Sequence, residues 1–249
     1  MTVKELHYDF NVKLDKVDSL QNVNFLPAEI DWILNEAISL ITKQKFGTNN
    51  SKRTGFEGNE KRIQDLKTLH IKCPTVVQPA IIPASVNDGR YEVKLSDLEF
   101  DFLFLTRGTA KATKTGCGSK ILGLKEVQND DLNDILDDPF WKPSFEWKVV
   151  PVNFGRTDTL AEDKGSLYLY TNEDFTIDEV YLEYIKVPNK ISIGGYPDIN
   201  TGVVKPVVEC DLPQEIHNEI VDIAVLECAR IISDPNFLQI KQSKLLANE

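Results

Sequence analysis

LPQEIHNEIVDIAVLECARII, residues 212–232, is the longest unbroken helical pattern in the sequence. Ile216, Ile220 and Ile223 recur three and four residues apart, which is the spacing of one helix face. A second apolar row runs beside it and contains Val221, Val225, Cys228 and Ile232. Such a wide apolar surface predicts a helix with neighbours on more than one side. Asp234-Pro235 predicts its end, because proline disfavours helical geometry in the residue before it.

A similar helix is predicted near the start of the chain. Residues 26–30 (LPAEI) match residues 212–216 (LPQEI) in register, and apolar residues then recur at helical spacing as far as Ile41. We therefore predict a helix over 27–46 and a shorter one over 58–69. Because the two strongest helices come from opposite ends of the chain, we expect them to pack together. The residues before them alternate loosely with period two, which predicts an extended N-terminal arm that pairs within the fold or with a neighbouring copy.

The middle of the chain has the period of β-strands. Leu98–Leu105 (LEFDFLFL) is apolar on both faces and predicts a central strand. Further strands are predicted around 71–77, 91–95, 121–127, 145–150, 166–170, 179–187 and 191–193. A run of strands between helices indicates an α+β fold. The predicted architecture is a helical bundle of N- and C-terminal helices with an inserted, mostly antiparallel β domain. Its predicted limits are 1–26 for the arm, 27–70 plus 211–249 for the helical domain and 71–210 for the β-rich domain.

Composition excludes several classes of protein. The chain has 249 residues and a formal net charge of −11, which argues against a general nucleic-acid-binding surface, because phosphate attraction needs clustered lysine and arginine. No stretch approaches the length of a membrane-spanning helix, and MTVKELHYDF lacks the apolar core of a signal peptide. The four cysteines are widely separated, so neither a disulfide framework nor a cysteine-rich metal site is predicted.

Signatures of catalysis are missing from the sequence. Gly116–Lys120 (GCGSK) does not have the order of a phosphate-binding loop, in which the lysine precedes a serine or threonine. Only three histidines are present, and His217 is interpreted as a surface or capping residue. We therefore predict no catalytic, cofactor-binding or metal-binding residues, and no enzymatic activity.

Two segments stand out as candidate contact surfaces. Phe140 and Trp141 lie between two prolines in a constrained loop, and aromatic residues dominate interface energetics, although a core role is an equal alternative. Residues 107–120 predict a polar loop or hairpin tip with the chain's one positive cluster, formed by Arg107, Lys111, Lys114 and Lys120. That cluster could meet an acidic neighbour or DNA phosphates, or remain a solvated loop.

The helices at both ends resemble a known family. Residues 26–37 (LPAEIDWILNEA) and 60–66 (EKRIQDL) resemble the opening helices of head-to-tail connector proteins, that is ring or adaptor proteins, of crAss-like short-tailed bacteriophages. Residues 184–188 (YIKVP) resemble the strand before that family's closing section, and 212–217 (LPQEIH) its final helix. The middle of the chain, about 75–175, does not match residue by residue.

The resemblance implies a structural virion protein without enzymatic activity. It implies a ring of about twelve copies in the tail or neck region, a dodecamer. The implied partners are other copies of the chain, the portal protein and other connector or tail proteins. Packaged DNA would pass through the channel without specific binding, and the ring would be assembled in the host bacterial cytoplasm, with no membrane contact and no cofactor.

Two other interpretations stay open at this point. A β-rich carbohydrate-binding or adhesin module of a virion would use the strands and their aromatic residues, which are Trp141, Trp147, Tyr168 and Tyr170. It would not need the long helix with two apolar rows. A hydrolase of an uncharacterised type is the third interpretation, and the missing catalytic motifs argue against it.

Overall fold

The chain divides into two compact units in a computed structural model that describes residues 1–15, 25–47, 59–72, 80–81, 89–155, 165–198 and 201–232. The first unit comprises 1–69 and 188–249, and the second comprises 70–187. Residues 188–210, which the sequence pattern assigned to the β-rich region, therefore fall in the first unit.

The chain opens with a helix, α1 (Val3–Asp15), so the predicted extended arm is wrong for these residues. Leu6, Phe10 and Leu14 are buried at a spacing of four, which fits a helix as well as it fits period two. Thr2 and Glu5 form a capping box, in which each backbone N–H donates to the other residue's side chain at 2.8 and 3.3 Å. The rest of the predicted arm, 16–24, lies outside the described residues.

Helix α2 (Pro27–Phe46) confirms the predicted limits of the first long helix. Pro27 occupies the first turn, and the Glu29 carboxylate accepts the Leu26 N–H at 2.8 Å. The inward face is the predicted one and contains Ile30, Ile33, Leu34, Ala37, Ile38 and Ile41. Helix α3 (Glu60–Leu66) is shorter than predicted and begins after Asn59, whose side chain accepts the Lys61 N–H.

Helix α5 (His217–Ile232) follows a 3-10 turn at Gln214–Ile216. Both predicted apolar rows are buried as far as Cys228, which explains the width of the pattern. The helix contacts both α1 and α2. Asp234-Pro235 and the rest of 233–249 lie outside the described residues.

A lysine in contact with two carboxylates joins three helices of the first unit. Nζ of Lys45 on α2 lies 2.8 Å from a carboxylate oxygen of Glu219 on α5 and 3.4 Å from one of Asp65 on α3. Lys45 is 5% exposed, so the charge depends on these partners in place of water.

The described strands of the second unit form one sheet in the order β1-β8-β4-β5-β6-β7-β3-β2. In chain order they are β1 (His70–Ile71), β2 (Ala80–Ile81), β3 (Arg90–Lys94), β4 (Phe102–Lys114), β5 (Gly118–Glu126), β6 (Val149–Gly155), β7 (Ser166–Tyr170) and β8 (Thr176–Lys186). Neighbours pair antiparallel except β5 and β6, which are parallel. The short helix α4 (Leu132–Asp137) lies between β5 and β6 in the chain. Mixed helix and strand content with a mostly antiparallel sheet confirms the α+β class.

Of the two alternatives predicted for 107–120, a polar loop or a hairpin tip, the structure shows the hairpin, and most of these residues are strand. The pairing of β4 with β5 runs from Thr109 opposite Gly123 to Lys114 opposite Gly118, so only residues 115–117 form the turn. The central strand therefore begins at Phe102, four residues later than predicted, and extends to Lys114. Ala110 and Ala112 face the core, and their small size hides the alternation in the sequence.

One core fills the second unit, formed mainly by inward residues of β3 to β8 with Phe145 and Phe175 from loops. Every residue of β7 is buried. Residues 145–148, predicted as strand, form a turn that places Phe145 in this core.

Candidate functional site

Three aromatic side chains form an exposed patch on the second unit. Phe140, Trp141 and Trp147, here called the aromatic patch, are 70%, 52% and 56% exposed. The rings of Phe140 and Trp147 stack with 6.0 Å between centroids and 18° between planes. Nζ of Lys125 lies 3.2 Å from the centroid of the Trp141 ring. A group of large exposed aromatic side chains is typical of an interaction site.

Local hydrogen bonds fix the loop that carries the aromatic patch. The Asp138 carboxylate accepts the Phe140 N–H at 2.7 Å, just after α4 ends. Ser144 and Val149 exchange both backbone hydrogen bonds, at 3.0 and 3.1 Å. Phe145 between them is buried and anchors the loop in the core. The patch is therefore presented by a held loop, which reduces the entropy lost when a partner binds.

The four basic residues of the predicted loop do not form one positive cluster. They lie on β4 and β5, where alternation places Arg107 and Lys111 on one face of the sheet and Lys114 and Lys120 on the other. Two of them have acidic neighbours. Nζ of Lys111 is 3.4 Å from Glu179, and Nζ of Lys114 is 2.5 Å from Asp174.

The electrostatics of these pairs follow from their contacts. The hydrogen bond to Asp174 raises the pKa of Lys114. A hydrogen bond from Tyr181, followed by the charge of Lys111, lowers the pKa of Glu179. Because their charge is partly neutralised within the chain, Lys111 and Lys114 attract external phosphates less than the sequence suggested. Their part in assembly stays a prediction.

The first unit contains a groove of about 1000 Å³ between the first half of α2 and residues 190–208. Asp31 of α2 lies in its wall and is 2% exposed. Its carboxylate accepts hydrogen bonds from His7 Nε2 at 2.7 Å, the Tyr196 hydroxyl at 2.5 Å and the Ile193 N–H at 3.0 Å. This network ties α1, α2 and the segment 191–198 together.

Burial and hydrogen bonding act in opposite directions on Asp31. Burial alone would raise its pKa, but the hydrogen bonds from His7, Tyr196 and Ile193 outweigh it, and the pKa is lowered. Burial and the hydrogen bond to Asp31 raise the pKa of Tyr196. The carboxylate is therefore charged at neutral pH.

Exposed side chains of opposite charge flank the groove. Trp32 is 63% exposed and shares one outer face of α2 with Glu29 and Glu36, which are three and four residues away. The facing wall contributes Lys190 and Lys205, and Nζ of Lys205 lies 3.0 Å from Asp198. The groove thus has an acidic helix wall around a tryptophan and a second wall with lysines.

The second wall is a short antiparallel ribbon. Ser192 pairs with Val208, and Pro197 pairs with Val204. Three valines of its outer strand are exposed, which are Val203, Val204 and Val207. Hydrogen bonds from Asn35 of α2 to the Ile191 carbonyl, and from the Ile191 N–H to Asn35, attach the ribbon to the helix.

The sequence did not point to this groove. Asp31 is a charged residue on an otherwise apolar helix face, and Trp32 is an aromatic residue on the charged face; both exceptions were visible. His217, interpreted as a surface residue, is 2% exposed, and its Nε2 lies 3.0 Å from the Leu212 carbonyl oxygen. Burial lowers the pKa of His217, partly offset by that hydrogen bond.

The described residues contain no group of three or more histidine, cysteine or acidic side chains arranged to hold a metal ion. Within the same part of the chain, no helix is long and apolar enough to cross a membrane.

Comparison with known proteins covers nearly the whole chain. The family described as phage tail ring protein 3/4 matches residues 1–235. Ring protein 4/5 of Bacteroides phage crAss001 is 27% identical over 232 residues, which cover 90% of this chain and 91% of that protein. The match therefore includes both units, with the groove and the aromatic patch.

Proposed function

The chain belongs to the phage tail ring protein 3/4 family of crAss-like phages, structural components of the virion, and from this premise we propose that its copies assemble into a closed ring of about twelve. The ring forms part of the head-to-tail connector, below the portal. Its neighbours are the portal protein and other connector or tail proteins, and it is assembled in the cytoplasm of the host bacterium.

The observation that carries this proposal is the presence of two unlike contact surfaces on one chain. Head-to-tail contacts in a ring require two different patches on each copy. The aromatic patch of the second unit and the groove of the first unit meet that requirement. The contacts of α5 with α1 and α2 support a helical bundle within the first unit.

The negative charge of the chain supports the proposal that DNA passes through the ring's channel without specific binding. Each copy has a formal charge of −11, so a ring of about twelve copies would carry about −130 in total. A negative lining discourages phosphate binding, and the pairing of Lys111 and Lys114 with acidic residues acts in the same direction. We propose that the ring links capsid to tail by contacts alone, without catalysis.

The structure weakens the carbohydrate-binding alternative. Tyr168 and Tyr170, two of its four aromatic residues, are only 7% and 4% exposed. The Trp147 ring is stacked on Phe140, so one of its faces is already covered. Sugar rings need open aromatic faces, and the second unit offers few of them.

Electron microscopy and mass photometry of the purified full chain, alone and mixed with portal protein, test the proposal. We expect rings of uniform copy number that stack on the portal. A chain that stays monomeric at every concentration, with and without portal, would refute it.

A further inference from the structure

We propose that the groove of one copy receives the aromatic patch of the next copy, so that these two surfaces form the repeated interface of the ring. This inference rests on the proposed ring and goes further, because it assigns which surfaces meet. The occupant of the groove is a second copy of this chain.

Charge complementarity is the first argument. Four carboxylates and two lysines line the groove, with Glu29 and Glu36 on either side of Trp32. The aromatic patch carries positive charge at its two tryptophans, since Nζ of Lys125 lies over the Trp141 ring and the exposed Lys142 and Lys148 follow Trp141 and Trp147 in the chain. Opposite local charge steers two surfaces together and suppresses other pairings.

The remaining charges can pair as well. Asp137, the last residue of α4, and Asp138 precede the aromatic patch, and the Asp138 carboxylate already accepts the Phe140 N–H. Lys190 on the ribbon wall of the groove is an exposed cation that can meet Asp137. Each surface therefore offers both signs of charge, so that pairs of opposite charge can form across the interface.

Size and side-chain type give the second argument. A groove of about 1000 Å³ lies at the upper end of the range of ligand pockets, about 300–1000 Å³, so it can hold several large side chains. The Phe140 and Trp147 rings are already stacked, and Trp141 is held by Lys125. When this ordered aromatic group docks in the groove of the next copy, it meets Trp32 there, which matches the paired hot spots of tight interfaces.

The test compares single and double variants of the full chain by mass photometry. Trp32→Ala and Trp141→Ala should each raise the concentration at half assembly on the order of 30-fold. If both residues belong to one interface, the double variant should be little worse than either single variant, whereas independent sites would multiply to about 1000-fold. Tyr8→Ala, which removes an exposed aromatic side chain that does not line the groove, is the matched control and should assemble normally.

A charge exchange gives a second, independent readout. Glu36→Lys and Lys142→Glu should each weaken assembly, and the two together should restore it, because every copy carries both surfaces. Glu99→Lys makes the same charge change at an exposed residue outside both surfaces and should have no effect. Unchanged circular dichroism melting curves would show that the variants fold.

The outcomes separate this inference from the proposed function. A wild-type chain that never assembles overturns both. Three results would overturn the interface assignment and leave the ring proposal standing. The first is normal ring assembly of Trp32→Ala or Trp141→Ala, and the second is a multiplicative effect in the double variant. The third is loss of attachment to the portal while the rings stay intact.

Discussion

Replacing Asp31 with alanine is expected to lower the free energy of unfolding of the first unit by about 3–5 kcal/mol. The carboxylate is 2% exposed and accepts hydrogen bonds from His7, Tyr196 and Ile193. Alanine leaves the buried His7 ring nitrogen and two part-buried donors without this acceptor, and a buried unsatisfied group costs about 1–3 kcal/mol. Because the surrounding side chains relax and water can enter the space left by the carboxylate, the total loss of unfolding free energy stays near the cost of breaking one buried ion pair. Asparagine keeps one acceptor oxygen, so Asp31→Asn should cost less, about 1–3 kcal/mol.

Urea unfolding followed by tryptophan fluorescence measures this loss. The chain has three tryptophans, and two of them, Trp141 and Trp147, lie in the second unit. In a Trp141→Phe/Trp147→Phe background, Trp32 beside Asp31 reports on the first unit alone. Measurements at a protein concentration below that of assembly keep ring formation out of the result.

Glu36→Ala provides the matched control, since Glu36 is an exposed acid on the same helix. Its effect should stay within about 0.5 kcal/mol. A loss below about 1 kcal/mol for Asp31→Ala would refute the reasoning, because the network would then not be holding the ribbon to α2.

Four further predictions follow from named contacts. Because folding lowers the pKa of Asp31, its carboxylate stabilises the folded state fully above the pKa of the unfolded chain, about 4. That stabilisation is lost as the pH falls through the lower pKa of the folded chain. Between pH 7 and pH 3, the urea midpoint should therefore fall more steeply for the parent than for Asp31→Asn. Lys45→Met should cost about 3–5 kcal/mol in urea unfolding, because it removes the cation from the buried Asp65 and the part-buried Glu219. Lys45→Met/Glu219→Leu should recover part of this loss, and a double variant as unstable as the single would contradict the reasoning. Gly89→Ala should lower the melting temperature more than Gly116→Ala. Both glycines have positive φ, but only at Gly89 would the added Cβ meet backbone, at 2.5 Å from the Glu173 nitrogen. Equal effects of the two substitutions would show that the chain relieves this close approach. Ile220→Asp should prevent folding of the first unit, because it places an unpaired charge at a fully buried position; a parent-like melting curve would mean that the inward face of α5 is misassigned.

The long helices could be predicted because their signals are redundant. Helix α2 has a first-turn proline, an acidic capping residue and an apolar stripe, and all three agree. The sequence does not distinguish helix α1 from a strand by its apolar pattern, because Leu6, Phe10 and Leu14 fit both; the Thr2–Glu5 capping box is the signal that favours the helix. Strand β4 was cut short because alanine faces the core at 110 and 112, where a larger apolar residue would have shown the alternation.

Residue type alone identified part of the candidate site. The aromatic loop at 140–141 was predicted as one of two alternatives, but its stacking partner Trp147 was assigned to a strand. The groove depends on contacts far apart in the chain: Asp31 bonds to Tyr196, 165 residues away, and to Ile193, 162 residues away. No local pattern reports such a contact, so tertiary structure was needed to find it.

The discontinuous first unit has a consequence for synthesis on the ribosome. Its α1 and α2 emerge early, but α5 follows only after roughly 120 residues of the second unit. At about 5–20 residues per second, the apolar faces of the early helices wait on the order of ten seconds for their partner. The sheet of the second unit can form in that interval, because its first strand in the chain, β1, pairs with its last, β8. A chain released before α5 is made would lack the helix that packs against α2, which forms one wall of the groove. Only chains that include α5 would therefore enter the ring.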